Sequence, residues 1–261
     1  MTSTDTGRVT LSDSHDGLVT TITIDRAAKL NALTLEMLDA LESRLDDIER
    51  SRARVVLVRT GGTRVFCVGA DIRAFSQLSA TDMWRRWITR GHRVFERLAR
   101  LRQPTIAVVD GLAVGGGLEL ALACDLRLAS RDARFGLPEV GLGTIPGWGG
   151  TERLTHLVGA SRAKQLILTR RQIDAATAGE WGLVNDVADD LDAEVEQYTR
   201  DLLGSAPIAQ QVAKQLVDAA AAGAPSAVVE AIASGFTSYT DDFAEGVRAF
   251  ADKAAPEFRD R

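Results

Sequence analysis

The chain has 261 residues, 45% of them apolar and 26% charged, and a formal net charge of −5. That balance builds a sizeable core without staples, suits one α/β domain with a short appendage, and argues against a nucleic-acid partner, which would want a basic face. No apolar stretch reaches the roughly 18 residues of a membrane span; the richest, 105–124, is interrupted by Asp110 and Glu119.

Residues 1–7 are polar and small and read as a disordered tail rather than a signal peptide. Segments 18–24 and 55–58 are β-branched runs, hence strands. Between them, 34–50 sets Leu38, Leu41, Leu45 and Ile48 at spacings of three and four, which predicts an amphipathic helix. A second helix is expected over 82–101, with Trp84, Trp87, Ile88, Val94, Phe95, Leu98 and Leu101 on its apolar side. Its arginines read most simply as a solvated face. After Pro104, 105–109 is a short strand that Asp110-Gly111 breaks. Gly115-Gly116-Gly117 then leads into a helix over 118–124, 126–129 is another strand, 135–150 is a loop rich in glycine and proline, and Thr151 opens a further helix. Strands alternating with helices define an α/β fold. From about residue 202 the pattern is helical, with strong helix propensity at 219–222 and a turn at Gly223-Ala224-Pro225, so a boundary is set near 200, dividing 1–200 from 201–261. Cys67 and Cys124 lie in or beside apolar runs and read as buried thiols in a reduced, cytoplasmic setting. His15, His92 and His156 show no metal-ligand spacing, so no metal site is expected.

Segment 113–120 carries the most chemistry. A strand feeding a glycine turn and then a helix leaves the first N–H groups of that helix unpaired, at the positive end of its dipole. Such an end serves a phosphate or a developing oxyanion equally well, and a bare glycine lets a ligand oxygen reach the backbone. A glycine triplet is as readily no more than a tight turn packed on a sheet. Nucleotide motifs do not fit: the dinucleotide pattern needs glycine where Leu120 stands, and no Gly-Lys-Ser/Thr ending is present. In Phe66-Cys67-Val68-Gly69-Ala70-Asp71-Ile72 a glycine again exposes a backbone N–H, that of Val68, while Asp71 is placed to cap a helix. Glu119 sits in a first helical turn, where a carboxylate is favoured anyway. Glu139, in Gly136-Leu137-Pro138-Glu139, reads by itself as a solvated loop residue. Two carboxylates facing one water are a different matter, since one acts as base and the other as acid.

Asn31-Ala32-Leu33, residues 66–72, residues 111–120 with Cys124-Asp125, residues 135–139, Gly143-Thr144-Ile145-Pro146-Gly147, Gly149-Gly150-Thr151 with Arg153-Leu154, and finally Asp241-Asp242, Glu245-Gly246 and Ala249-Phe250 follow one another along the chain. In that order they resemble the enoyl-CoA hydratase/isomerase (crotonase) superfamily over nearly the whole length. The resemblance implies a crotonase (ClpP-like) spiral of ββα units with a C-terminal helical region that mediates trimerisation. It implies a lyase of fatty-acid metabolism that adds water syn to a trans-2-enoyl-CoA, giving the 3-hydroxyacyl-CoA, or runs the reverse. No cofactor is implied, since the coenzyme A thioester is itself the substrate.

The same resemblance gives the N–H groups of Val68 and Gly116 as an oxyanion hole, Glu119 as the base that takes a proton from water, Glu139 as the acid that protonates Cα, and Gly147 as a backbone position supporting Glu139. Lys29 and Ala32, with Ala70, Asp71 and Ile72, mark the CoA-binding edge. Arg73 either meets a CoA phosphate or is a solvated arginine. Phe250 and Lys253 match positions that touch CoA on a neighbouring subunit, in a homotrimer or homohexamer. Paired glutamates favour hydration; an isomerase, a decarboxylase, a thioester hydrolase and an idle acyl-CoA-binding subunit are the alternatives the fold leaves open. The chain departs from the pattern at Ala27, where proline is frequent, at Ala254-Ala255, where a basic pair is usual, and at Trp148, where the residue is usually small. The Trp148 indole either narrows the acyl pocket or packs at a surface or interface, and Trp84 and Trp87 either line that pocket or pack in the core.

Overall fold

The computed structural model describes residues 6–62 and 64–261. The tail expected over 1–7 therefore lies outside the described residues, apart from Thr6 and Gly7. Strands β1 (Arg8–Ser14), β2 (Val19–Asp25), β3 (Val55–Thr60), β4 (Val65–Cys67), β5 (Thr105–Val109), β6 (Leu112–Val114), β7 (Leu126–Ser130), β8 (Arg134–Gly136), β9 (Ile173–Asp174) and β10 (Asp186–Ala188) form two sheets. One has the order β1-β2-β3-β5-β7-β10 and the other β4-β6-β8-β9. The chain steps from the first sheet to the second at β3–β4, β5–β6 and β7–β8, and helical segments follow each step. Pairing is parallel from β2 through β10 and from β4 through β8; the antiparallel pairs β1–β2 and β8–β9 lie at edges. This is the α/β fold read from the alternation of elements, in the spiral of ββα turns that the resemblance implied.

Burial follows from position. All five residues of β5 are buried, as expected of a central parallel strand covered on both faces; four are apolar, and the hydroxyl of Thr105 is satisfied by Asp125 at 2.9 Å. The helix Leu35–Arg50 starts where the Thr34 hydroxyl accepts the Met37 N–H at 3.3 Å. Its stripe of Met37, Leu38, Leu41, Leu45 and Ile48 is buried, each such side chain contributing about 1.5–3 kcal/mol.

The second helix departs from the expectation. It runs from Ala80 to Ala99, but Met83–Ile88 is wound in wider π turns. The Thr89 hydroxyl donates to the carbonyl of Trp84, five residues back, at 2.9 Å. The wider turn breaks the 3.6-residue register, so Trp87 is buried while Trp84 is 65% exposed, with the Arg85 guanidinium over its ring. Nor are the arginines simply solvated. Arg93 bonds Glu42 at 2.7 Å, Arg97 bonds Asp46 at 2.6 Å and Arg90 pairs with both Asp39 and Glu42, so the basic face of Thr89–Ala99 is zipped to the acidic face of Leu35–Arg50. Each partly exposed pair contributes at most about 1 kcal/mol, but together they fix where the helix sits.

Helix Leu191–Leu203 runs through position 200, and Pro207–Ala221, Ser226–Thr237 and Asp241–Asp252 follow, with the expected turn at Gly223. No residue of Ser226–Thr237 is buried, and Ile232, Phe236, Phe243, Val247 and Phe250 are exposed. Both cysteines are free and buried, and burial pushes each thiol up to about 12. Among the described residues no helix is long and apolar enough to cross a membrane.

Candidate active site

One edge of the site is organised by a buried asparagine. Asn31, at φ 56°, donates through Nδ2 to the carbonyls of Gly61 (2.8 Å), Val65 (3.1 Å) and Phe66 (3.1 Å), and its Oδ1 accepts the Arg26 N–H at 2.9 Å. That side chain ties the turn after β2 to β4. The segments then pair: Leu33 N–H donates to the Gly69 carbonyl at 2.7 Å and Asp71 N–H to the Leu33 carbonyl at 2.8 Å. Asp71 caps the short helix Ile72–Phe75 by accepting from the Arg73 and Ala74 N–H groups, and Arg26 reaches its other oxygen at 2.7 Å. Burial works against the charge on Asp71, but the Arg26 bond and the two amides together hold its carboxyl below the usual range. The sequence shows the cap, and Asn31 as part of a motif, but neither Arg26 nor Asn31 as an organiser, because a buried polar residue outside any periodic element leaves no periodicity to read.

The two glycine loops meet. Gly69 has φ 88°, and a Cβ added there would lie 2.6 Å from the Gly116 nitrogen. A Cβ on Gly117 would lie 2.0 Å from the Cys67 carbonyl oxygen, so the helix Gly116–Leu122 and the end of β4 are in backbone contact. The Gly116 N–H meets no acceptor among the described residues. The Val68 N–H, by contrast, donates to the Leu30 carbonyl at 3.2 Å, the long end of the range for such a bond. One expected donor is open and the other is lightly held.

Glu119 is 2% exposed, and its Oε1 accepts the N–H groups of Trp148 (2.7 Å) and Gly150 (2.8 Å). The Gly147 amide likewise acts in favour of the charge on Glu119, not on Glu139 as the resemblance implied. The reason is the course of the chain: the loop through 147–150 folds across the helix Gly116–Leu122, so its N–H groups converge on the carboxylate rising from that helix. Arg153 anchors the loop, donating to the Trp148 carbonyl at 2.9 Å and to Glu96 at 2.7 Å. Glu139, at the start of the 3-10 turn Glu139–Leu142, is not the solvated residue its sequence suggests. Both its carboxylate oxygens are buried and meet no partner among the described residues.

The pair is therefore asymmetric. Burial pushes Glu119 up, but three backbone amides and Arg153 act in favour of its charge. Burial and the neighbouring charge of Glu119 push Glu139 up to about 7 against the pull of its own backbone N–H, with no side-chain cation and no further amide to offset them. Hydrogen bonds to a carboxylate favour its ionised form, so the anion belongs on Glu119 and the proton on Glu139.

Val68, Gly116, Glu119 and Glu139 bound one cavity of ≈ 130 Å³, together with Ala70, Ile72, Phe75, Met83, Trp87, Ile88, Leu142, Ile145 and Trp148. Trp84 neither lines it nor packs in the core, since the π turns leave it 65% exposed. Trp148 is a wall, and packs against Trp87 (ring centroids 5.7 Å) and Phe95 (5.2 Å). Lys29 and Arg73 are exposed and Ala32 is buried beside the cleft without lining it. Phe250 stands on the last helix and Lys253 directly after its end, and neither lines the cavity of its own chain. Phe75, Met83, Ile88, Leu142 and Ile145 went unrecognised in the sequence, because they converge only through tertiary folding.

A cleft that sets an open backbone N–H beside one anionic and one protonated carboxyl is built for acid–base chemistry next to a polarised carbonyl. The family model for enoyl-CoA hydratase/isomerase matches residues 14–261, and the chain belongs to that family. It is 40% identical to a short-chain-enoyl-CoA hydratase of Clostridium acetobutylicum, covering 78% of each chain, and 38% identical to a crotonyl-CoA hydratase of Syntrophomonas wolfei, covering 90% of this chain and 92% of that one. An enoyl-CoA hydratase structure from Bacillus anthracis superposes with a TM-score of 0.92 at 33% identity, over 97% of this chain and 99% of the other.

Proposed function

We propose that the protein is an enoyl-CoA hydratase that adds water syn across the double bond of a trans-2-enoyl-CoA, or removes it from the 3-hydroxyacyl-CoA. The unequal hydrogen bonding of Glu119 and Glu139 is the observation that carries this reading. The thioester oxygen takes the N–H groups of Val68 and Gly116, the former released from Leu30, and the charge that builds on that oxygen is stabilised there. Water attacks Cβ and passes its proton to Glu119, while Glu139 gives its proton to Cα. The reverse direction uses the same two groups with the proton exchanged. The paired segments around Leu33 and Gly69 form the edge on which the coenzyme A moiety lies.

Incubation with crotonyl-CoA is expected to yield a product heavier by one water; an isomerised, decarboxylated or hydrolysed product defeats the proposal. No net proton enters the overall reaction and both directions use a pair holding one proton, so both follow the same bell-shaped profile of kcat/KM against pH. The alkaline limb is expected near the value of about 7 at which Glu139 loses its proton. A flat profile through that range contradicts the assignment of roles.

Ile232, Phe236, Phe243, Val247 and Phe250 on the last two helices are exposed apolar side chains, of the kind that association buries, which supports a trimer or a dimer of trimers. Native mass spectrometry is expected to give three or six times the 28.0 kDa chain mass, and a monomer contradicts this. Two free buried thiols accord with a reduced, cytoplasmic setting.

A further inference from the structure

We infer that Trp148 sets the depth of the acyl site and restricts the enzyme to short 2-enoyl chains; this rests on the hydratase reading and adds the substrate class to it. The indole is wedged between two glycines. A Cβ on Gly116 would lie 2.5 Å from its Cζ3, and a Cβ on Gly91 would lie 2.2 Å from its Nε1. Gly91 stands inside the helix Thr89–Ala99, where glycine is the poorest choice short of proline. Its bare backbone leaves the room the indole needs. Behind the ring, Phe95 packs edge-on and Trp87 tilts against it, and Trp148 is only 2% exposed, so it has no space to swing aside.

The wall stands where an acyl chain must run. Gly116 holds the thioester oxygen, and Glu119 faces Cβ through the water it activates. Glu119 in turn accepts the backbone N–H of Trp148 at 2.7 Å, and the indole of the same residue lines the cavity beside Glu119 and Gly116. A chain extending beyond Cβ meets the Trp148–Trp87 surface after a few carbons. Leu142 and Ile145 also line the cavity, but they are 59% and 67% exposed and give a longer chain little burial.

The test is kcat/KM for crotonyl-, hexenoyl-, octenoyl- and decenoyl-CoA with the wild-type oligomer and with Trp148→Ala and Trp148→Leu. Wild-type kcat/KM is expected to fall at least about tenfold from crotonyl- to decenoyl-CoA. The truncated variants are expected to raise the decenoyl-to-crotonyl ratio by about tenfold or more, whatever happens to absolute rates; the ratio separates a depth effect from a general loss of packing. Trp148→Leu serves if the alanine variant fails to fold. Equal wild-type rates along the series, or a ratio unmoved in a folded variant, overturn the inference and leave the hydratase reading standing. No hydration of any substrate by the wild type overturns that reading instead, and the inference with it.

Discussion

Glu139→Gln is expected to lower hydration of crotonyl-CoA by about 10²–10⁴-fold with acyl-CoA binding little changed. The amide keeps the shape of the acid but has no proton to give Cα. The fold tolerates it, because the Glu139 oxygens hold no partner that the amide would lose. The stability sign is fixed by the raised value of about 7. Between the ordinary carboxyl range and 7, the folded protein binds this proton more tightly than the unfolded chain, so stability declines as pH rises through that window. The glutamine variant is expected to lose that decline, which thermal unfolding followed across the same pH range will register.

Glu119→Gln is expected to be comparably slow for a different reason. Its Oε1 still accepts from Trp148 and Gly150, so the loop stays put, but the base is gone. Its signature separates it from a general defect: with the Glu119 charge removed, one of the causes raising Glu139 disappears. The alkaline limb of the residual activity is then expected to move to lower pH. Near wild-type turnover in either variant contradicts the assigned roles.

Gly69→Ala is expected to cost about 10²–10³-fold in kcat by closing the oxyanion hole. Two features act together. Gly69 has φ 88°, where a side chain is strained, and its Cβ would sit 2.6 Å from the Gly116 nitrogen and 3.1 Å from the Val114 carbonyl oxygen. Both neighbours are backbone atoms, so the clash is relieved only by moving the loop that carries Val68 or the turn that carries Gly116. Steady-state kinetics on crotonyl-CoA, alongside circular dichroism to establish folding, checks this. A folded variant with undiminished kcat means that the thioester oxygen binds elsewhere.

The sequence reveals most where local pattern and motif coincide. Helix Leu35–Arg50 and strands β2, β3, β5 and β7 follow from spacing and β-branched runs, and the glycine loops and both glutamates come from short motifs read in order. Strands β4, β6, β8, β9 and β10 have two or three residues each, too few to carry periodicity; the spiral that uses them comes from the family resemblance. Trp84 is exposed where helical spacing sets it on the apolar side, because that spacing assumes 3.6 residues per turn and the π turns of Met83–Ile88 break the register. The support for Glu119 by Gly147, the burial of Glu139 and the fit of Trp148 into Gly91 arise between segments far apart in the chain, where no local pattern reports them. Arg153 and Asn31 belong to the same class: each acts through backbone carbonyls, which sequence does not distinguish.

The most direct test of the paired donors and paired acids is a crystal structure of the protein with a non-reacting acyl-CoA in the cleft. The expected result has the thioester oxygen within hydrogen-bond reach of the Val68 and Gly116 nitrogens, the Val68–Leu30 bond opened, and both Glu119 and Glu139 on the same face of the Cα–Cβ bond. A thioester oxygen bound away from both nitrogens, or carboxyls on opposite faces of that bond, contradicts it.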